Sequence, residues 1–251
     1  MSLLRTEGLK KYFGETRAVD GVNFSVNEGE FLSLVGTNGA GKTSLVNLIS
    51  AFLIPDSGRI FIGERDITYA TVDERIRAGI ARSFQLVNLF DDLSVLDNVA
   101  LAIFARERKT KRIFTLAERD TEVTAEALDL LGQFNLDGKA QALAGGLAQG
   151  ERKLLDVAVA YALRPKLLFL DEPTSGVSTR DKAQIMDTVS SVVRGGKITA
   201  VVIEHDMDVV FKYSDRVVVM HEGRFLADGP PDEIRRSREV ATYLLGTDVS
   251  T

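Results

Sequence analysis

Gly36 is followed, after four intervening residues, by Gly41-Lys42-Thr43 in the run Gly36-Thr37-Asn38-Gly39-Ala40-Gly41-Lys42-Thr43-Ser44. That spacing suits a phosphate-binding loop. Glycines let the backbone approach a ligand closely, and successive N–H groups beside a helix start form a concavity that favours anions. Gly36, Asn38, Gly39, Ala40, Gly41, Lys42, Thr43 and Ser44 are the expected contacts to the nucleotide. Lys42 supplies a point charge for the β- and γ-phosphates, and the Thr43 hydroxyl can ligate Mg²⁺. A nucleoside triphosphate is the expected ligand.

Leu167-Leu168-Phe169-Leu170-Asp171-Glu172-Pro173 is the second run with chemical meaning. Its apolar part reads as a strand buried on both faces, and its carboxylates fall at the end where open α/β sheets bind ligands. Asp171 is placed to hold Mg²⁺, and Glu172 to polarise an attacking water as general base. The pair implies hydrolysis of the nucleotide rather than its storage.

The elements that must position these residues follow from periodicity and turn chemistry. Strands are expected over Leu3–Leu9, Val22–Val26, Phe31–Val35, Arg59–Ile62, Leu167–Leu170, Thr199–Ile203 and Arg216–His221. Apolar residues from Leu45 to Leu53 recur at helical spacing, with Pro55-Asp56-Ser57-Gly58 as the stop. A short helix is expected over Val72–Ala78. Residues 88–162 carry helical patterning, in Val95–Arg106, Glu118–Leu131 and Gly150–Ala162, with no strand signal. The last helices are expected over Asp232–Ser237 and Arg238–Leu245. An α/β core of residues 1–87 and 163–251 is thus expected, interrupted by a helical subdomain at 88–162, and strands alternating with helices demand a largely parallel sheet.

Composition narrows the partners. The 251 residues carry a net charge of −5, so no global positive field draws in nucleic acid or an anionic bilayer. The run from Arg106 to Arg112 is locally basic and reads as a solvated loop between helices. With no cysteine, neither a disulfide framework nor thiolate chemistry is available. Met1 to Glu7 lacks the apolar core of a secretion signal, so no leader is expected, and no window is apolar enough to span a membrane. Any membrane span must come from another chain.

With both phosphate-site motifs in place, the chain resembles the ATP-binding subunits of ABC transporters along nearly its whole length. The resemblance implies a P-loop ATPase core with a mixed, mostly parallel sheet, an N-terminal antiparallel part and a helical insertion. Tyr12, in Lys10-Lys11-Tyr12-Phe13-Gly14, matches the aromatic that stacks on adenine. Gln85 matches the glutamine that reaches Mg²⁺ and the attacking water. His205, in Ile203-Glu204-His205-Asp206, matches the histidine that senses γ-phosphate; His221 has no such match. Leu147-Ala148-Gln149-Gly150-Glu151 occupies the place of the family signature, usually Leu-Ser-Gly-Gly-Gln, which faces ATP held by the other subunit of a dimer. Here Ala148 replaces the serine and Gln149 a glycine, and Ser178 stands where an acidic residue is commonest in the dimer-contact loop. A missing neutral donor costs about 0.5–1.5 kcal/mol, which slows catalysis rather than abolishing it.

Finer similarity points to importers of branched-chain or other hydrophobic amino acids, carried by the runs Gly79–Gln85, Leu89–Val99, Ile203–Val210 and Asp228–Ile234 and by Tyr243-Leu244-Leu245-Gly246. Urea or amide importers share these features, and the ATPase of lipopolysaccharide export is also similar, with the same run as Gly150-Glu151-Arg152 in its signature region. The resemblance implies membrane permease subunits docking near Leu86–Leu93, a second ATP-binding subunit, a solute-binding protein and a peripheral position on the cytoplasmic face of the inner membrane. The rival from another class is a soluble ABC ATPase that clamps a macromolecule. A phosphate-loop GTPase is disfavoured, since no guanine-selecting Asn-Lys-x-Asp run is present.

Overall fold

The computed structural model describes residues 1–83, 89–108 and 121–245. Strands β1 (Ser2–Phe13) and β2 (Thr16–Val22) form an antiparallel hairpin with Tyr12 opposite Arg17. Strand β3 (Ser25–Asn27) also pairs with β1. β4 (Phe31–Val35) leads into α1 (Lys42–Ile49), and β5 (Ser57–Ile62) and β6 (Arg65–Asp66) complete the antiparallel sheet, ordered β2-β1-β5-β6. Helix α2 (Val72–Arg77) precedes β7 (Ile80–Arg82). Then come α3 (Val95–Arg106), α4 (Thr121–Gln133) and α5 (Gln149–Ala162). The chain continues through β8 (Leu167–Asp171), α6 (Thr179–Gly195), β9 (Thr199–Ile203), α7 (Met207–Tyr213), β10 (Arg216–His221) and β11 (Arg224–Gly229). Helices α8 (Pro231–Arg236) and α9 (Arg238–Leu245) follow.

The larger sheet has the order β11-β10-β4-β9-β8-β7, parallel except for the antiparallel β10–β11 pair. Its central strands are buried on both faces, as parallel strands covered by crossover helices must be. Side chains divide by alternation. Leu168, Leu170, Ala200 and Val202 enter one apolar cluster with the helices, among them Val99, Ile103, Ala127, Leu131 and Ala158. Leu167, Phe169, Val201 and Ile203 enter a second cluster with α1 and the antiparallel sheet. Register then decides where the chemistry lies. Asp171 pairs with Ile203, and Leu34 with Ile203, so the segments after β4, β8 and β9 leave the sheet side by side.

The structure corrects several expectations. The helix after the phosphate loop stops at Ile49, not at the Pro55 turn: the Ser50 hydroxyl turns back to the Val46 carbonyl, and Ala51 takes a left-handed φ of +67°. Phe52 is consequently more than half exposed. The expected strand Val22–Val26 is broken, with β2 ending at Val22 and β3 starting at Ser25. Strands β7 and β11 were not expected, being short or mixed in polarity, and they take their place from their neighbours β8 and β10. Within the basic run, Arg106 belongs to α3 and pairs with Glu126 of α4 at 2.8 Å; Lys109 to Arg112 lie outside the described residues, as do Glu118 to Asp120.

One buried cation ties α1 to α2. Arg75 is 2% exposed and donates to the carbonyls of Leu48, Ile49 (2.7 Å), Thr68 (2.8 Å) and Ala70 (3.2 Å). It therefore satisfies carbonyls at the C-terminal end of α1, where a positive charge also suits the helix dipole, and burial draws its guanidinium down to about 10. Arg75→Leu removes these donors from buried acceptors and is expected to cost about 3 kcal/mol, a fall of about 6–12 °C in melting temperature, read by circular dichroism.

Candidate functional site

The phosphate loop is wedged between two stretches of backbone. Gly36 adopts φ +157°, and a Cβ there would lie 2.2 Å from the Met220 carbonyl oxygen. Gly41 adopts φ +106°, and a Cβ there would lie 2.1 Å from the Ala18 carbonyl oxygen. No side chain fits at either place. The turn after β10 closes the frame, with the Gly223 N–H donating to the Ala40 carbonyl at 2.9 Å. Lys42 is 6% exposed, and its Nζ donates to the carbonyls of Gly36 (2.7 Å) and Thr37 (3.0 Å). Burial holds this ammonium below its ordinary value, opposed by the carboxylates of Glu172 and Asp171. Thr43 is exposed at the start of α1, beside half-buried Ser44. The α1 N-terminus has Gly41 as its cap and no side-chain acceptor, so its first amides are left for a ligand.

Beside the loop, β8 delivers Asp171, 5% exposed, whose Oδ2 meets Arg82 at 2.6 Å; Arg82 also reaches Asn47 of α1 at 2.6 Å. Glu172 sits at φ +49°, a region costly for a residue with a Cβ. Its N–H donates to the Ile203 carbonyl at 2.9 Å, and its carbonyl accepts from the buried Lys153 Nζ at 3.2 Å, which also reaches the Ser175 hydroxyl at 3.0 Å. The turned backbone carries the carboxylate to the end of β9, where Glu172 Oε1 lies 3.1 Å from His205 Nε2. Buried Glu204 braces the same edge by accepting from the Thr174 N–H (3.0 Å), the Thr174 hydroxyl (2.6 Å) and the His205 N–H (3.2 Å). Gly36, Thr37, Asn38, Glu204 and His205 line a cavity of about 320 Å³. The structure thus brings Lys42, Asp171, Glu172 and His205 to one sheet edge. Gln85 lies outside the described residues.

Tyr12 lies near the end of β1, in the hairpin whose Ala18 touches Gly41. Its hydroxyl donates to Asp20 Oδ1 at 2.6 Å, and Arg224 reaches Asp20 Oδ2 at 2.7 Å. These bonds, the tyrosine's first, lower the Asp20 carboxyl from its ordinary 3.8 to about 2, while the same contact raises the Tyr12 phenol. Leu147, Ala148, Gln149, Gly150 and Glu151 stand apart. Ala148 caps α5 without a side-chain acceptor; Glu151 instead accepts from the Ala148 N–H at 3.0 Å and pairs with Lys139 at 2.5 Å. The Gln149 amide occupies the space over Gly176, 2.6 Å from where a Cβ would be. Among the described residues, no hydrogen bond or ion pair of this segment reaches the phosphate loop of its own chain.

The profile of the family described as ABC transporter matches residues 19–175, from β2 to the turn after Glu172. The chain belongs to the ABC transporter family. Among curated ABC proteins, a probable branched-chain amino acid transport ATP-binding protein LivG of Methanocaldococcus jannaschii is 35% identical, covering 93% of this chain and 91% of its own. A high-affinity branched-chain amino acid transport ATP-binding protein BraF of Pseudomonas aeruginosa is 34% identical, covering 97% and 98%. Among solved structures, the ADP conformation of MJ1267, an ATP-binding cassette of an ABC transporter, superposes with a TM-score of 0.87 at 32% identity, covering 98% of this chain and all of that one. A dimeric post-hydrolysis state of the cassette MJ0796, bound to ADP and phosphate, gives 0.76 at 25% identity, covering 91% and 98%. The chain is an ABC ATP-binding subunit and an ATPase.

Arg82, Lys153 and Glu204 at this edge, and Asp20 beneath Tyr12, are residues that the sequence alone did not single out. Arg82 and Glu204 stood inside runs read for their neighbours Gln85 and His205, whereas nothing local marks Asp20 or Lys153. For Asp20 the pH consequence has a definite sign. A carboxyl lowered in the folded state stabilises the fold above its ordinary value, and that contribution is lost as pH falls from about 4 toward about 2. Acid titration by circular dichroism should show a shallower transition in that window for Asp20→Asn than for the wild type.

Proposed function

We propose that this ATPase drives import of branched-chain or other hydrophobic amino acids through separate membrane permease subunits, working as one of a pair of ATP-binding subunits on the cytoplasmic face of the membrane. The solute class is supported by what the LivG and BraF relatives are named for. No helix among the described residues is long and apolar enough to cross a membrane, which suits a subunit that borrows its span. A solute-binding protein completes the proposed system. We divide the chain functionally into a nucleotide core, residues 1–87 and 163–251, and a helical part, 88–162, that presents the signature.

The observation that carries the mechanism is the convergence of Lys42, Glu172 and His205 at one sheet edge. Lys42 is freed from its loop carbonyls by the stronger charge of the β- and γ-phosphates. Glu172 accepts the proton of the attacking water, and His205, against its carboxylate, orients that water and meets the γ-phosphate. The amides from Asn38 to Ser44 hold the phosphate oxygens, and Tyr12 stacks on adenine. Thr43, Asp171 and Gln85 are the proposed oxygen donors for Mg²⁺, a set that suits this hard cation; when bound it would neutralise charge on the phosphates.

Leu147, Ala148, Gln149, Gly150 and Glu151 act on the partner's nucleotide: the α5 N-terminus has no side-chain cap from Ala148, and its own phosphate loop does not use it. ATP, contacted from both sides, favours the closed pair, and loss of γ-phosphate reopens it. For the permease, the structure offers an apolar groove of about 210 Å³ between α2, β7 and α5, lined by Phe52, Val72, Ile76, Ile80 and Val159. Phe52 and Ile76 at its rim are exposed, which suits an amphipathic cytosolic segment of a membrane protein. Arg82 lines the same groove and pairs with Asp171, so an occupant of the groove adjoins the catalytic edge.

Glu172→Gln should bind ATP as the wild type does, lose steady-state hydrolysis by a factor of about 100 or more, and accumulate as an ATP-dependent dimer in size-exclusion chromatography; retained turnover would remove Glu172 from the base role. Isolated from membranes in the ATP-bound state, that variant should co-purify with a permease and a second ATP-binding subunit, and the wild-type complex reconstituted in sealed vesicles should take up branched-chain amino acids. Recovery of ribosomal or other soluble assemblies without a permease would overturn the transport reading.

A further inference from the structure

The Asp20 carboxylate is the meeting point of three strands. Its side chain is 8% exposed, while the arginines that reach it, Arg17 and Arg224, are about two-thirds exposed at 65% and 66%. It accepts from the Tyr12 hydroxyl at 2.6 Å, from Arg224 Nη2 at 2.7 Å and Nε at 3.1 Å, and faces Arg17 Nη1 at 3.5 Å. An exposed ion pair contributes little to stability, but here the carboxylate lies beneath its partners, and its shortest bond is to a phenol. A strand tyrosine turns about two side-chain bonds; its hydroxyl lies on the axis of the second, so a bond there fixes the first, and with it where the ring stands, but not the ring's turn about its own axis.

Four further contacts surround this bond and tie it to the phosphate loop. Arg17, directly opposite Tyr12 across the hairpin, holds its guanidinium carbon 6.0 Å from the ring centroid, so a cation stands over one face of the ring. The Tyr12 N–H donates to Asp56 at 2.7 Å, anchoring the backbone end of the same residue. The Asp20 N–H donates to the Gly223 carbonyl at 2.9 Å, and the Gly223 N–H donates to Ala40 of the phosphate loop at 2.9 Å. A path of main-chain hydrogen bonds thus joins Asp20 to the phosphate site.

We propose that Asp20 is a positioning residue for the nucleobase: it fixes where the Tyr12 ring stands relative to the phosphate loop, so that base and polyphosphate are held in register. This rests on the reading of Tyr12 as the adenine platform. Asp20 touches no part of the nucleotide and acts through the phenol. Its removal therefore costs affinity for ligands that have a base and spares ligands that have phosphates alone.

The test is isothermal titration calorimetry of the full chain with two probes, ATP and inorganic tripolyphosphate. Tyr12→Phe keeps the ring and loses only the hydroxyl, so it probes the bond without endangering the fold. Tyr12→Phe and Asp20→Ala should each weaken ATP about three- to tenfold, with tripolyphosphate unchanged, and the double variant should be no weaker than either single one. Tyr12→Ala separates the two ideas. Wild-type ATP affinity in Tyr12→Ala removes the adenine platform itself, and the proposal with it. Weak ATP binding in Tyr12→Ala with wild-type affinity in Tyr12→Phe overturns the role of Asp20 alone. If Asp20→Ala weakens both probes equally, Asp20 supports the phosphate loop instead, and its role toward the base is likewise overturned.

Discussion

The nucleotide edge depends on main chain packed against main chain. At Gly36 and Gly41 the phosphate loop lies so close to the carbonyls of Met220 and Ala18 that no Cβ can intervene. Those two carbonyls belong to different sheets, the first to β10 and the second to β2. The loop is therefore a rivet between the parallel core and the antiparallel hairpin. The phosphate loop and the hairpin that carries Tyr12, the proposed adenine platform, are held to a common frame by steric necessity rather than by side-chain contacts that could relax.

A second constraint is the register of β8, β9 and β4. A strand slipped by one residue would send its apolar set to the wrong cluster, since Leu168 and Leu170 face the helices while Leu167 and Phe169 face α1. The burial that fixes this register also fixes the row in which Glu172 and His205 leave the sheet. The geometry of this proposed catalytic edge follows from the packing of side chains well inside the molecule, with a left-handed turn at Glu172 as a local strain in its final placement.

Much of this was legible in the sequence where residue type and period carry physical meaning. The phosphate loop, the strand ending in Asp171-Glu172 and the fully buried strands Phe31–Val35 and Thr199–Ile203 announce themselves by glycine spacing or by unbroken apolar runs. The misses have equally physical causes. β7 and β11 are short or polar, and become strands because a neighbour offers its edge. The helix after the phosphate loop was read too long, since apolar spacing cannot reveal that Arg75, distant in sequence, satisfies its last carbonyls. Asp20 and Lys153 are invisible locally; both matter through partners that lie far along the chain or on another element.

The apolar cluster on the helical side has no seam. Val99, Ile103, Ala127 and Leu131 of the insertion share it with Leu168 and Leu170 of the sheet and with Ile185 and Val189 of α6. Opening a hinge there would expose that surface to water, which the hydrophobic effect opposes. Motion of the helices on the sheet that keeps this cluster closed is a sliding shear, in which contacts are exchanged without a gap. Packed along its length in that way, α5 is more readily displaced as a rod than bent.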